Sequence, residues 1–146
     1  MEQPSASMLV IGDELLSGRT HDANMHHLAK ELTEIGINLI EARFIRDDPT
    51  AIVSNIIDLS KRFDYLFTSG GIGPTHDDIT TDCVAEAFGK QASIRHDALK
   101  ILQEYYDGKD IELNEARLRM ARIPETAQLI DNPISAAPGY VIENVY

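Results

Sequence analysis

The sequence has a single cysteine, Cys83, and no tryptophan. One thiol excludes an intramolecular disulfide and a zinc site built of thiolates, and it suits a reducing compartment. Basic residues are scarce too: 13 Lys and Arg stand against 24 Asp and Glu, a formal charge of -11. That sign repels polyanions, so nucleic acid and anionic membrane are not expected as partners. A phosphorylated small ligand escapes the objection, because backbone N–H groups and a divalent cation hold phosphate without net positive charge on the chain. No apolar run approaches the roughly 20 residues that span a bilayer, and residues 1–7 lack the basic and apolar regions of a signal peptide. The expected location is the cytoplasm. There is no internal repeat and no low-complexity tract.

What is present suffices for one folded unit. Hydrophobic residues make up 43% of the 146 positions and charged residues 25%, enough apolar surface to offset chain entropy around a single core. Met8-Leu-Val-Ile11, ending at Gly12, predicts a buried strand. Met25, Leu28, Ala29, Leu32 and Ile35 then recur at helical spacing, with Gly36 as the stop. Ile37, Leu39, Phe44 and Ile45 suggest a second strand. Asp48-Pro49 reads as an N-cap followed by proline at the first helical position, opening a helix whose buried stripe is Ile52, Val53, Ile56 and Ile57. A third strand at residues 64–68 runs into Ser69-Gly-Gly-Ile-Gly-Pro74, and a helix follows over residues 79–88, with Val84, Ala87 and Phe88 inward. Further helices are expected at 97–106 and around 114–121, and strands at 127–130 and 140–145. This order predicts right-handed βαβ units, hence an α/β fold with a largely parallel sheet. Ligands of such sheets sit beyond the carboxyl ends of the strands, where residues 12–14 and 69–73 fall.

Ser69-Gly-Gly-Ile-Gly-Pro74 lies between a strand and a helix, the setting in which glycines let main chain approach an anion; an ordinary tight turn is the alternative. His76, Asp77 and Asp78 follow. Asp78, Thr80 or Thr81 can cap the next helix, while a second carboxylate can hold a divalent cation that bridges ligand phosphates. Asp13-Glu14 and Asp47-Asp48 lie past the first and second strands, so three acidic pairs converge on one sheet edge. Gathered carboxylates repel, which makes a cation a natural companion, although Asp48 is also explained as a cap. His21, His26 and His27 make no convincing metal site, and Cys83 reads as a small core residue. Arg117, Arg119 and Arg122 form the one basic cluster, either a solvated helix face or a group that reaches a phosphate tail.

Gly12-Asp-Glu-Leu-Leu16 with Gly18 and Asp22-Ala-Asn24, the stretch from Thr68 through Asp78 with Thr80, and the later Asn132-Pro133 and Ala137-Pro-Gly139 together resemble the MoaB/Mog molybdopterin-binding domain. Within that family they are most similar to the branch found in competence-damage-inducible CinA proteins. The resemblance implies a single three-layer α/β domain over residues 1–146, with a mostly parallel, mixed central sheet, forming a homo-oligomer of two or three chains. The implied partner is a phosphorylated small molecule: molybdopterin, ADP-ribose or a flavin nucleotide. The implied chemistry is metal-assisted hydrolysis of a nucleotide pyrophosphate. Its alternatives are a molybdopterin- or nucleotide-binding module without catalysis and adenylyl transfer to the pterin in molybdenum cofactor biosynthesis. Carried over by position, Ser69, Gly70, Gly71 and Gly73 bind phosphate, and Pro74, Thr80, Gly12, Glu14, Asn24, Pro138 and Gly139 complete the ligand-binding set. Asp78, Asp47 and Asp13 are the catalytic candidates, the first two also as ligands of Mg²⁺ or another divalent cation. Ile72 stands where the adenylyltransferases carry threonine, which favours the CinA-like branch. The chain stops at Tyr146 where relatives continue, so a C-terminal truncation is expected, and it carries no deamidase domain like that of full-length CinA proteins.

Overall fold

In a computed structural model, which describes residues 2–146, the apolar run near the N-terminus forms β1 (Ser5–Ile11), with every residue after Ser5 buried. A strand buried on both faces needs neighbours at both edges and a layer on each side. β2 (Asn38–Ile45) and β3 (Tyr65–Ser69) supply the edges, both parallel to it, in the order β2-β1-β3. Register places Leu9 between Arg43 and Thr68, and Met8 between Ala42 and Phe67.

Side-chain alternation then divides β1 between two layers. Leu9 and Ile11 join Ile52, Ile56 and Leu59 of α3 (Pro49–Arg62) and Val84 of α4 (Thr80–Ala87) in the main core. Ala6, Met8 and Val10 are buried on the opposite face, on the side of α2 (Asn24–Glu34), whose one buried residue is Leu32. The layers are therefore α2, the sheet, and α3 with α4, the three-layer α/β arrangement expected. Burying each large apolar side chain contributes roughly 1.5–3 kcal/mol, so the α3 face outweighs the thinly covered α2 face.

Local chemistry explains where α3 begins and how it faces. Asp48 Oδ2 accepts a hydrogen bond from the Ala51 amide at 2.9 Å, and Pro49 opens the first turn. Ile52, Ile56 and Leu59 repeat on one face and are fully buried, whereas Ile57 is 36% exposed: one residue past Ile56 lies about 100° around the helix, off the stripe. Arg43 of β2 reaches across to Asn55 Oδ1 and Asp58 Oδ2, each at 2.7 Å, fastening the outer strand to α3. That guanidinium, with Arg62 in support, holds the Asp58 carboxyl below the usual carboxylate range.

Short elements complete the chain. α1 (Asp13–Leu16) is one turn directly after β1, where a loop was expected. α5 (His96–Asp107) covers the expected helix, and α6 (Glu115–Leu118) passes into a 3-10 turn (Arg119–Ala121). β4 (Ala92–Ile94) pairs antiparallel with β5 (Arg122–Pro124), and β6 (Gln128–Ile130) with β7 (Gly139–Val141). Three-residue strands carry no readable period, which is why β4 and β5 escape sequence analysis. Residues 144–146 lie along the outer edge of β3: the Leu66 amide donates to Asn144 O at 2.9 Å and the Thr68 amide to Tyr146 O at 2.7 Å.

Replacing the cap by Asp48→Ala should lower stability by about 1 kcal/mol with the urea m-value unchanged. An unaltered urea midpoint would show that α3 does not depend on this cap.

Candidate functional site

β3 delivers the glycine loop to the carboxyl edge of the sheet. Gly70 and Gly71 have φ of 94° and 68°, a region that favours glycine, and a Cβ at either would collide, with the Ile11 carbonyl oxygen or with Thr80 Oγ1 respectively. From the first turn of α4 the Thr80 hydroxyl donates to Gly70 O at 2.8 Å, and the Thr80 amide donates to Gly71 O at 3.0 Å. Both carbonyls are thus drawn toward the helix. The amides of Gly70, Gly71, Ile72 and Gly73 donate to no acceptor among the described residues. Consecutive unpaired amides at a strand-to-helix turn are donors that can serve an anion.

Carboxylates wall the cavity in front of this loop. It has a volume of about 400 Å³, and Asp13, Glu14, Asp47, Gly71 and Asp78 share its lining with Ile11. Asp13 and Asp47 lock the ends of β1 and β2 together: Asp47 Oδ2 accepts from the Asp13 amide at 3.0 Å, and Asp13 Oδ1 accepts from the Asp47 amide at 3.1 Å. Asp78 Oδ2 accepts from both the amide and the hydroxyl of Thr75, at 2.9 and 2.8 Å. One carboxylate oxygen on each of Asp13, Asp47 and Asp78 is left without a hydrogen-bond partner among the described residues, as are both on Glu14.

Two of the three acidic pairs expected at this edge contribute in full. Of Asp47 and Asp48 only the first faces the cavity, because the second caps α3. No group of three or more His, Cys, Asp or Glu among the described residues is placed to hold a metal unaided. The free oxygens fit a different arrangement: Mg²⁺ takes one or two carboxylates together with ligand phosphates and waters rather than an all-protein cage.

The remaining candidates divide by position. Ser69 ends β3, and its hydroxyl accepts from Asn24 Nδ2 at 3.1 Å, so both stand at the loop's entry. Gly73 lies close beside Asp78, while Pro74 turns to a second cavity beyond the loop. Gly12 is buried with its amide donated to Ile45 O at 3.0 Å, which makes it a hinge between strand and α1 rather than an anion donor. Thr80 is fully buried and braces the loop from below, so it has no surface for a ligand. Pro138 is buried and Gly139 packs on Ile130 within the β6–β7 ribbon, away from the cavity wall. Arg19 and His76 do line that wall, a placement that nothing in their sequence spacing announces. Cys83 is buried in the core, and burial pushes its thiol up to about 11, with Glu86, Asp82 and Asp48 adding to the effect.

With this geometry established, comparison with known proteins is informative. The family described as "Probable molybdopterin binding domain" matches residues 7–145. A protein of Pyrococcus furiosus is 40% identical over 94% of this chain and 58% of its own length. A CinA-like protein of Kosmotoga olearia is 34% identical over 95% of this chain and 34% of its own length. The chain therefore spans little more than half of the first relative and a third of the second. The crystal structure of the CinA protein from Thermoplasma acidophilum superposes with a TM-score of 0.86 at 32% identity, over 97% of this chain and 85% of that one. The tungsten cofactor synthesizing protein MoaB from Pyrococcus furiosus, with a TM-score of 0.57 at 17% identity over 91% of this chain and 77% of its own, shares the fold.

Gly71→Ala should cost roughly 1–3 kcal/mol, because it places a side chain at positive φ against Thr80; an unchanged melting midpoint would mean the loop adopts another path. The thiol supplies a pH signature. Because Cys83 titrates higher folded than unfolded, the stability it contributes is complete below its ordinary value near 9 and is lost as pH rises toward about 11. The stability gap between the parent and Cys83→Ala should narrow across that window, and a constant gap would contradict a buried, protonated thiol.

Proposed function

This chain belongs to the family of molybdopterin-binding domains, matched over residues 7–145, and on that premise we propose that it grips the phosphates of a phosphorylated pterin or nucleotide at residues 70–73 and hydrolyses a nucleotide pyrophosphate such as ADP-ribose. The observation that carries the reading is the run of unpaired amides at residues 70–73, in a loop whose Gly71 borders a cavity walled by carboxylates. Each amide can give one hydrogen bond to a phosphate oxygen. Held in place by Thr80 before any ligand arrives, the amides need no reorganisation as charge grows on phosphate in the transition state. In the hydrolysis, water oxygen attacks one phosphorus, that phosphorus parts from the bridging oxygen, and two phosphate monoesters leave while the water's proton passes to a carboxylate and on to solvent.

Asp78 and Asp47 orient that water through their unpaired oxygens, with Glu14 beside them, and Asp13 positions Asp47 through the reciprocal amide bonds. A divalent cation such as Mg²⁺, arriving with the phosphates and held by Asp47 and Asp78, would supply neutralisation of charge on the phosphate oxygens. Ile72 is 44% exposed and offers the ligand no hydroxyl, which supports hydrolysis over adenylyl transfer to a pterin. Exposed Ile40 and Phe44 on β2 support assembly as a dimer or trimer. Among the described residues no helix is long and apolar enough to cross a membrane.

One observation favours a second reading. Asp13 and Asp47 are tied to each other's amides, and among the described residues no three metal-binding side chains are grouped, as suits a module that holds its ligand unaltered. Calorimetry with ADP-ribose, FAD and molybdopterin, each paired with a product assay, separates the two: binding without turnover selects the module. For the hydrolase, Asp78→Asn should lower Mg²⁺-dependent ADP-ribose turnover by at least about 100-fold while leaving the melting temperature within a few degrees of the parent. Parental turnover in that variant would remove Asp78 from the mechanism.

A further inference from the structure

The glycine loop has a second side. Gly71, Ile72 and Gly73 also face a narrow crevice bounded by Asp78, Thr81, Asp82, Arg119 and Arg122. Both arginines also border a broad cavity of about 720 Å³ with an apolar wall that includes Pro74, Ile94 and Leu118. Gly71 and Asp78 line the crevice and the carboxylate cavity alike, so the loop is a thin partition between the chamber that holds Asp13, Glu14 and Asp47 and the one that holds Arg119 and Arg122.

The two arginines differ in how they are paired. Arg122 Nη2 lies 2.5 Å from Asp82 Oδ1 and 3.2 Å from Ala92 O, so its charge is matched within the fold. Arg119 is half-buried, its Nε is shielded from solvent without a hydrogen-bond partner, and no carboxylate among the described residues lies within ion-pair distance. A guanidinium partly withdrawn from water without a counter-charge lowers stability. In a chain with 24 acidic and 13 basic residues, acidic partners are plentiful, which makes the lack of one more telling. The other shielded, partnerless side-chain atom among the described residues is the Ser7 hydroxyl, which sits within β1 and borders none of these cavities. Arg119 borders two.

We propose that Arg119 holds a second anionic group of the ligand, across the loop from Asp13, Glu14 and Asp47, and so selects ligands with two linked phosphates, such as nucleoside diphosphate derivatives, over nucleoside monophosphates. The inference rests on the reading of residues 70–73 as a phosphate cradle. The amides take one phosphate; the planar fork of Arg119 matches the oxygens of the next, and the apolar wall receives the group attached to it. The ligand would supply the counter-charge that the protein itself withholds.

Calorimetry at one fixed salt concentration, with the parent, Arg119→Gln and Arg119→Lys against ADP-ribose and AMP, tests this. Arg119→Gln should weaken ADP-ribose at least about 10-fold and leave AMP within about twofold, with Arg119→Lys between parent and Gln. Without ligand, Arg119→Gln should melt at or above the parental temperature, since it removes a half-buried charge that has no counter-charge. Equal ADP-ribose affinity in parent and Arg119→Gln, an equal loss for both ligands, or a ligand-free melting point several degrees lower would each overturn the second site and leave the cradle standing. A parent that binds neither ligand would overturn the cradle and this inference together.

Discussion

Thr80 decides which way the glycine loop presents itself. Its hydroxyl and its amide draw the carbonyls of Gly70 and Gly71 toward α4, while the amides of residues 70–73 are left without an acceptor among the described residues. The arrangement demands glycine at both positions, because the φ values are positive and the end of β1 and the threonine itself fill the space a side chain would need. Parallel pairing of β1 with β3 then carries the loop to the edge where β2 leaves Asp47 and α1 leaves Asp13. The main core behind it, from α3 and α4, holds the scaffold rigid.

In a chain of net charge -11, the proposed phosphate site depends on separating signs over a short distance. Amides carry partial positive charge without altering the net charge, and they are concentrated at one turn. Asp13, Glu14 and Asp47 stand on one side of that turn, and Arg119 and Arg122 on the other. On the proposed reading, an anion at the loop would be attracted by amides and guanidinium, while the acidic wall would offer oxygens to any cation that accompanies it. The acidic composition therefore argues against polyanions as partners and leaves a small phosphorylated ligand open.

Some of this was legible from residue order because it is local. Asp48-Pro49 announces a helix start, and the strand-loop-helix context of residues 69–74 marks a backbone that must approach something closely. Position relative to the cavity was less legible. Thr80, Pro138 and Gly139 match a family pattern, yet Thr80 braces the loop from beneath and the other two belong to the β6–β7 side. Ile57 sits one residue beyond the buried stripe, a shift that spacing alone leaves ambiguous when four apolar residues fall so near one another.

Residue order by itself determined the α/β class, the start of α3, and the place of the glycine loop between strand and helix, since each depends on patterns a few residues long. Only the tertiary structure decided which charges share a wall. Asp13 with Asp47 and Gly71 with Arg119 are brought together by strand register and by the turn into β5, contacts between residues more than 30 positions apart. Whether a polar group is satisfied is likewise a property of the folded whole: in the sequence Arg119 and Arg122 are alike, and folding alone gave one of them a carboxylate and left the other without.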